Sequence, residues 1–206
     1  MIQTIPGPPG VWEQISTSEG HVMQRAALRF VLIVAVTTAV PALALQHATE
    51  GVITRVDSVA KNIALKTADG TEEVFKFTGK TAMHAGEGVK TGAVDSYLVG
   101  KEGTHVVVHY TGEGAEKTAL AVDDLGKDTV KVGTGTVTGL DKAGHTVTVK
   151  TEDGSEETYH IAKGTAVDTE HGVVKGTEYT AKKGEKVSVH YTEEAGKKVA
   201  HFIKHL

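Results

Sequence analysis

Beyond residue 50 the chain alternates apolar and polar residues with a period of two. Ile63 and Leu65 stand among Asn62, Ala64 and Lys66, and Val147 and Val149 stand among Thr146, Thr148 and Lys150. That period sends alternate side chains to opposite faces of a half-buried strand. Asp69-Gly70 and Asp153-Gly154 follow these runs, and their positive φ is expected to make type I′ hairpin turns. The next strand carries Phe75 and Phe77, matched later by Tyr159 and Ile161; another carries Val106, Val108 and Tyr110, matched by Val187, Val189 and Tyr191. Opening strands are expected near 50–56 and 134–140, closing strands near 117–122 and 198–204. The stretch 87–103 is the least regular and has room for one helical turn.

These matches form one ordered internal repeat. Gly51-Val52-Ile53-Thr54 returns as Gly135-Thr136-Val137-Thr138, and Lys66-Thr67-Ala68-Asp69-Gly70 as Lys150-Thr151-Glu152-Asp153-Gly154. Thr81-Ala82 returns as Thr165-Ala166, and Val106–Thr111 as Val187–Thr192. Units of about 80 residues are domain-sized, unlike solenoid repeats. The expected organisation is repeat 1 over 46–124 and repeat 2 over 126–206, joined near the charged run Asp123–Asp128. Each copy has five or six short strands, and a sheet that small must close on itself to bury its apolar face and hide its edges. The expected fold is therefore all-β: two tandem small antiparallel β-barrels, OB-like or Greek-key, with a two-sheet sandwich as the alternative.

Ahead of the repeats, residues 23–44 read as a signal peptide. Arg25 and Arg29 precede the apolar run Phe30–Val40, and Pro41 is followed by the small-x-small step Ala42-Leu43-Ala44. Cleavage near Ala44 would make the protein periplasmic or secreted, with no membrane span in the mature chain. Residues 1–22 are polar and aperiodic and are expected to be a non-native or disordered leader, Met23 being the natural start.

The order Gly-x-Val/Ile-Thr, alternating strand, Thr-x-Asp-Gly, aromatic strand, Thr-Ala step, then Val-x-Val-x-Tyr and a final Lys-x-Ala resembles a group of small β-barrel domains of unknown function, the DUF5666 type, found in exported bacterial proteins and often in tandem. The resemblance covers about 48–122 and 133–204. It implies an OB-like barrel and an envelope or secreted location, and it brings no catalytic residues.

Composition narrows the chemistry further. Cysteine is absent, which removes disulfides and thiolate sites. Net charge is −4, and Arg55 is the only arginine after residue 44, so specific nucleic-acid recognition is not expected. No nucleophile-elbow, phosphate-loop, metalloprotease or EF-hand motif is present. Adjacent Glu72-Glu73 and Glu156-Glu157 point to opposite strand faces and cannot converge on one substrate. The protein is read as a non-enzyme requiring no cofactor, its partner an envelope protein or glycan of unknown identity.

Histidine is the remaining candidate chemistry. His105 and His109 share a strand face, His201 and His205 do likewise, and His190 repeats His109. All are expected to face outward. These five would be the ligands if the alternative function, a periplasmic metal-binding protein using surface histidines, applied.

Overall fold

The structure, a computed structural model, describes residues 45–206 apart from 86–87 and 92–93. The expected leader and signal peptide lie outside the described residues. Strands β1 (His47–Asp57), β2 (Asn62–Lys66), β3 (Glu72–Lys76), β4 (Ala82–Ala85), β5 (Gly88–Thr91), β6 (His105–Thr111) and β7 (Thr118–Gly126) form one sheet in the order β3-β2-β1-β6-β7-β4-β5. A short helix α1 (Val94–Leu98) falls in the stretch expected to hold a helical turn. Strands β8 (Lys131–Asp141), β9 (Thr146–Thr151), β10 (Glu156–Thr169), β11 (Gly172–Lys175), β12 (Lys186–Glu194) and β13 (Lys197–His205) form the second, ordered β11-β10-β13-β12-β8-β9.

Both sheets close. In the second, β10 pairs with β9 as well as β13, giving a five-stranded barrel. In the first, β3 meets β7 at Lys76 and Thr118, where the Lys76 N–H donates to the Lys117 carbonyl at 2.9 Å. The barrels are not antiparallel throughout: β10–β13, β3–β7 and β4–β7 are parallel. A closed ring with an odd number of strands cannot alternate direction at every step, so one seam must be parallel. Strand β10 performs the tasks of β3 and β4 together, pairing first with β9 and then with β11. At its midpoint Thr165 accepts from the Ala162 N–H at 2.8 Å and donates to the Ala200 carbonyl at 2.6 Å. Thr81 does the same between Thr78 and Ala119, at 2.9 and 2.7 Å. The repeated Thr-Ala step thus pins each barrel's seam.

The hairpin turns differ from expectation. Gly70 and Gly154 have φ of 86° and 87°, but Asp69 and Asp153 are not in the positive-φ region. The Gly70 N–H donates to the Thr67 carbonyl, and the Thr67 N–H to that of Thr71. This is a three-residue loop with glycine as the bulge residue rather than a type I′ turn. Asp69 explains the choice, since its carboxylate accepts from the Thr67 hydroxyl and the Thr71 N–H. The repeated Gly51 has a different role. A Cβ there would lie 2.8 Å from the Lys66 carbonyl oxygen, so only glycine lets β1 cross β2 so closely.

Each barrel has its own core. Ile53, Ile63, Leu65, Phe75, Phe77, Val106 and Val108 pack in the first; Val147, Val149, Tyr159, Ile161, Val187, Val189 and Tyr191 pack in the second. These are the inward positions of the alternating pattern. Strand β7 runs through the charged run expected to be the join, leaving 127–130 between the sheets. The described residues lie within one compact unit, and a third cluster, Ala48, Val107, Ala166 and Phe202, joins the two barrels.

Candidate functional site at the barrel junction

Val106 and Val108 fill the first core, so alternation turns His105, Val107 and His109 to the other face of β6. On β1 the same face carries Ala48 and Glu50. The second barrel covers part of it. Ala48 and Val107 pack on Ala166 and Phe202, with Leu125 and Val173 alongside. A His–carboxylate cluster stands on each side of this apolar patch.

In one cluster Glu50, only 4 % exposed, is held between the barrels. His105 Nδ1 donates to Oε1 at 2.8 Å from the first barrel, and His190 Nδ1 to Oε2 at 2.8 Å from the second. Burial pushes the Glu50 carboxyl up, but the bonds from His190 and His105 outweigh it and hold it below its ordinary 4.5. The His190 ring meets Phe202 edge-on, with centroids 5.3 Å apart. Nearby, His47 Nδ1 reaches Asp168 across the junction at 3.3 Å; burial raises the Asp168 carboxyl and His47 opposes the rise.

In the other cluster Asp123 bridges two histidines. His109 Nε2 donates to Oδ2 at 2.9 Å, and His84 Nδ1 donates to Oδ1.

The structure therefore separates the five histidines named from sequence. His105 belongs to the Glu50 cluster and His109 to the Asp123 cluster. His190 is a correction: it does not face solvent but is 6 % exposed, because the outer face of β12 is covered by the first barrel. His201 contacts the Thr192 hydroxyl at 2.8 Å, and burial lowers its pKa. His205 bonds the Tyr179 hydroxyl at 3.0 Å, as Asp124 bonds Tyr97 in the first barrel. Among the described residues no three His, Cys, Asp or Glu side chains gather as a metal-holding group. Glu50, His84 and Asp123 were not singled out from sequence. The one available signal for Glu50 is the repeat, which sets a charge in the first copy against Thr134 in the second.

One arrangement mimics a hydrolase. Ser188 Oγ lies 3.5 Å from His190 Nε2, whose Nδ1 is on Glu50. Ser188 sits mid-strand, paired on both sides with β8 and β13, so neighbouring backbone N–H groups are not free to form an oxyanion hole. Buried polar satisfaction accounts for the contact. A second repeated constellation caps each barrel end. Lys117 lies 5.5 Å over Phe75 and 5.0 Å over Tyr110 and pairs with Glu73; Lys198 lies 5.6 and 5.1 Å over Tyr159 and Tyr191 and pairs with Glu157.

Clefts open beside both clusters. One of about 420 Å³ includes Glu50, His190, Thr134 and Ser188; one of about 310 Å³ includes His84, His109, Asp123, Lys163 and Lys175.

No family model matches the chain, and no curated protein matches it. Among solved structures it is similar to Ag(I)-CusF, at 18 % identity and TM-score 0.26, over 37 % of this chain and 93 % of that one. It is also similar to apo-CusF residues 6–88 from Escherichia coli, at 18 % identity and TM-score 0.27, over 40 % of this chain and 89 % of that one. Likeness at this level carries no inference about what the chain binds.

Proposed function

We propose that the chain is an exported, non-catalytic binding module of the bacterial envelope, periplasmic or secreted, whose ligand sits along the junction of two DUF5666-like barrels. The supporting observation is the placement of the clefts: each lies beside a His–carboxylate cluster that uses residues no single strand could supply. Export rests on the sequence pattern at 23–44; no helix among the described residues is long and apolar enough to cross a membrane. The metal-binding alternative draws on Asp123 between His84 and His109, but there one nitrogen of each imidazole, His84 Nδ1 and His109 Nε2, is turned to the carboxylate. A thermal-shift screen of glycans, anions and divalent metals tests the binding reading. A stabilising ligand is expected, with Tm rising as ligand concentration rises. A flat response to every class, or turnover of a chromogenic ester abolished in Ser188→Ala, would sink it. Mass spectrometry of exported material should give a chain starting at Leu45.

A further inference from the structure

The geometry points to a small phosphate-type oxyanion as the ligand of the Asp123-side cleft, an inference that deepens the binding-module reading and rests on it. The cleft, at about 310 Å³, is of the size that takes a small ligand. Lys163 on β10 and Lys175 at the end of β11 are exposed on its lining, and neither side-chain ammonium has a hydrogen-bond or ion-pair partner among the described residues. Both lysines also border the neighbouring cleft that holds Glu178, and two ammonium groups with no partner among the described residues attract an anion and repel a metal cation. Among the described residues Asp123 is the only carboxylate on the lining, and both its oxygens are engaged, Oδ1 by His84 and Oδ2 by His109. Its acceptor oxygens are taken by the two imidazoles, which leaves the lysines for a ligand. Gln46 also lines the cleft.

The composition of the site also explains why it is single in a duplicated chain. The repeat sets Lys163 against Gly79 and Lys175 against Thr91, so the lysines belong to the second copy alone. His84 is set against Asp168, so that imidazole belongs to the first. The site exists only where the copies meet.

The test is an NMR titration of the full chain with inorganic phosphate. Amide shifts centred on Gln46, His84, His109, Gly164 and Lys175 are expected, with a Kd of about 1–10 mM. Lys163→Gln/Lys175→Gln should weaken binding about tenfold, since exposed ion pairs are individually modest. Both positions are exposed, so the melting temperature should not move. Lys142→Gln makes the same kind of charge change in the β8–β9 turn, outside the cleft, and should leave binding intact. A parallel arm measures co-sedimentation with phosphatidylglycerol and phosphatidylcholine vesicles. Lysine-dependent binding to free phosphate or to phosphatidylglycerol alone supports the site and tells a soluble anion from a headgroup. No shifts with either, equal loss in Lys142→Gln, or Zn²⁺ shifting His84 and His109 where phosphate does not, would overturn it. A neutral ligand in the same cleft without phosphate binding sinks this inference and leaves the binding-module reading standing; no ligand of any class sinks both.

Discussion

A Cβ built on Gly133 would overlap the phenolic oxygen of Tyr159 and lie 3.1 Å from its ring Cζ. The glycine is the space that the hydroxyl occupies. That hydroxyl donates to Glu157, which in turn pairs with Lys198 at 2.6 Å, so the vacancy on β8 lets the barrel-end cap form. The first barrel carries the complementary solution. The repeat aligns Thr49 with Gly133 and Phe75 with Tyr159: a side chain where the glycine was, and a ring without an oxygen. Gly133→Ala should therefore destabilise the protein by about 1–3 kcal/mol through overpacking. Tyr159→Phe should recover part of that loss in the double variant, although alone it gives up a hydrogen bond worth about 1 kcal/mol. Urea unfolding of the four-member cycle checks this. Strictly additive losses would show that the two positions do not compete for space.

Glu50→Gln should lower stability by about 2–3 kcal/mol, because both histidines lose an ionised acceptor in a buried place. Its pH signature follows from a carboxyl held below 4.5 in the fold. The unfolded chain takes up the proton first, so the contribution is complete above about pH 4.5 and is lost as pH falls through the lower folded value. Wild type should lose stability in that window, and Glu50→Gln should lose less. Equal acid slopes for the two proteins would remove Glu50 from the junction's energetics.

His201 predicts a slope at higher pH. Burial holds its imidazole below the ordinary 6.5. Above 6.5 the ring is neutral in both states and the contribution is complete. As pH drops below 6.5 the unfolded chain gains a proton that the fold resists, so stability falls toward the folded value and then levels. His201→Gln, which keeps a polar group near Thr192, should flatten the melting temperature over that interval. An unchanged slope would assign the effect to other groups.

The strands and cores were legible because alternation reports directly on burial: Phe75, Val106, Val108, Tyr159 and Val189 are all inward as read. The dipeptide Asp69-Gly70 marks where the turn lies but not its type, since the geometry depends on the Thr67 hydroxyl as well. The site was far less legible. Period two says which face of β12 holds His190 but not what covers that face, and the cover is Glu50, 140 residues away in sequence. Asp123 and Asp124 belong to the charged run expected to be the join, yet they lie on β7 facing partners on β4, β6 and α1 that only the folded sheet brings beside them.

Thr165→Val tests the repeated Thr-Ala step, which sequence marked only as a landmark. Valine matches threonine in shape, so the variant adds no cavity and changes only polarity. It removes a hydroxyl that is 2 % exposed as a residue and accepts from Ala162 while donating to Ala200. Both backbone groups would be left without that partner inside the seam, at about 1–3 kcal/mol each if no water reaches them. Thr81→Val should cost a similar amount at the first barrel, whose β3–β7 seam rests on a single residue pair. The decisive readout is local. Hydrogen exchange should quicken at the Ala162 amide in Thr165→Val and at the Thr78 amide in Thr81→Val, each without change in the other barrel. Exchange quickening in both barrels at once would mean that the two seams open together, and that the junction at Ala48, Val107, Ala166 and Phe202 couples them into one cooperative unit.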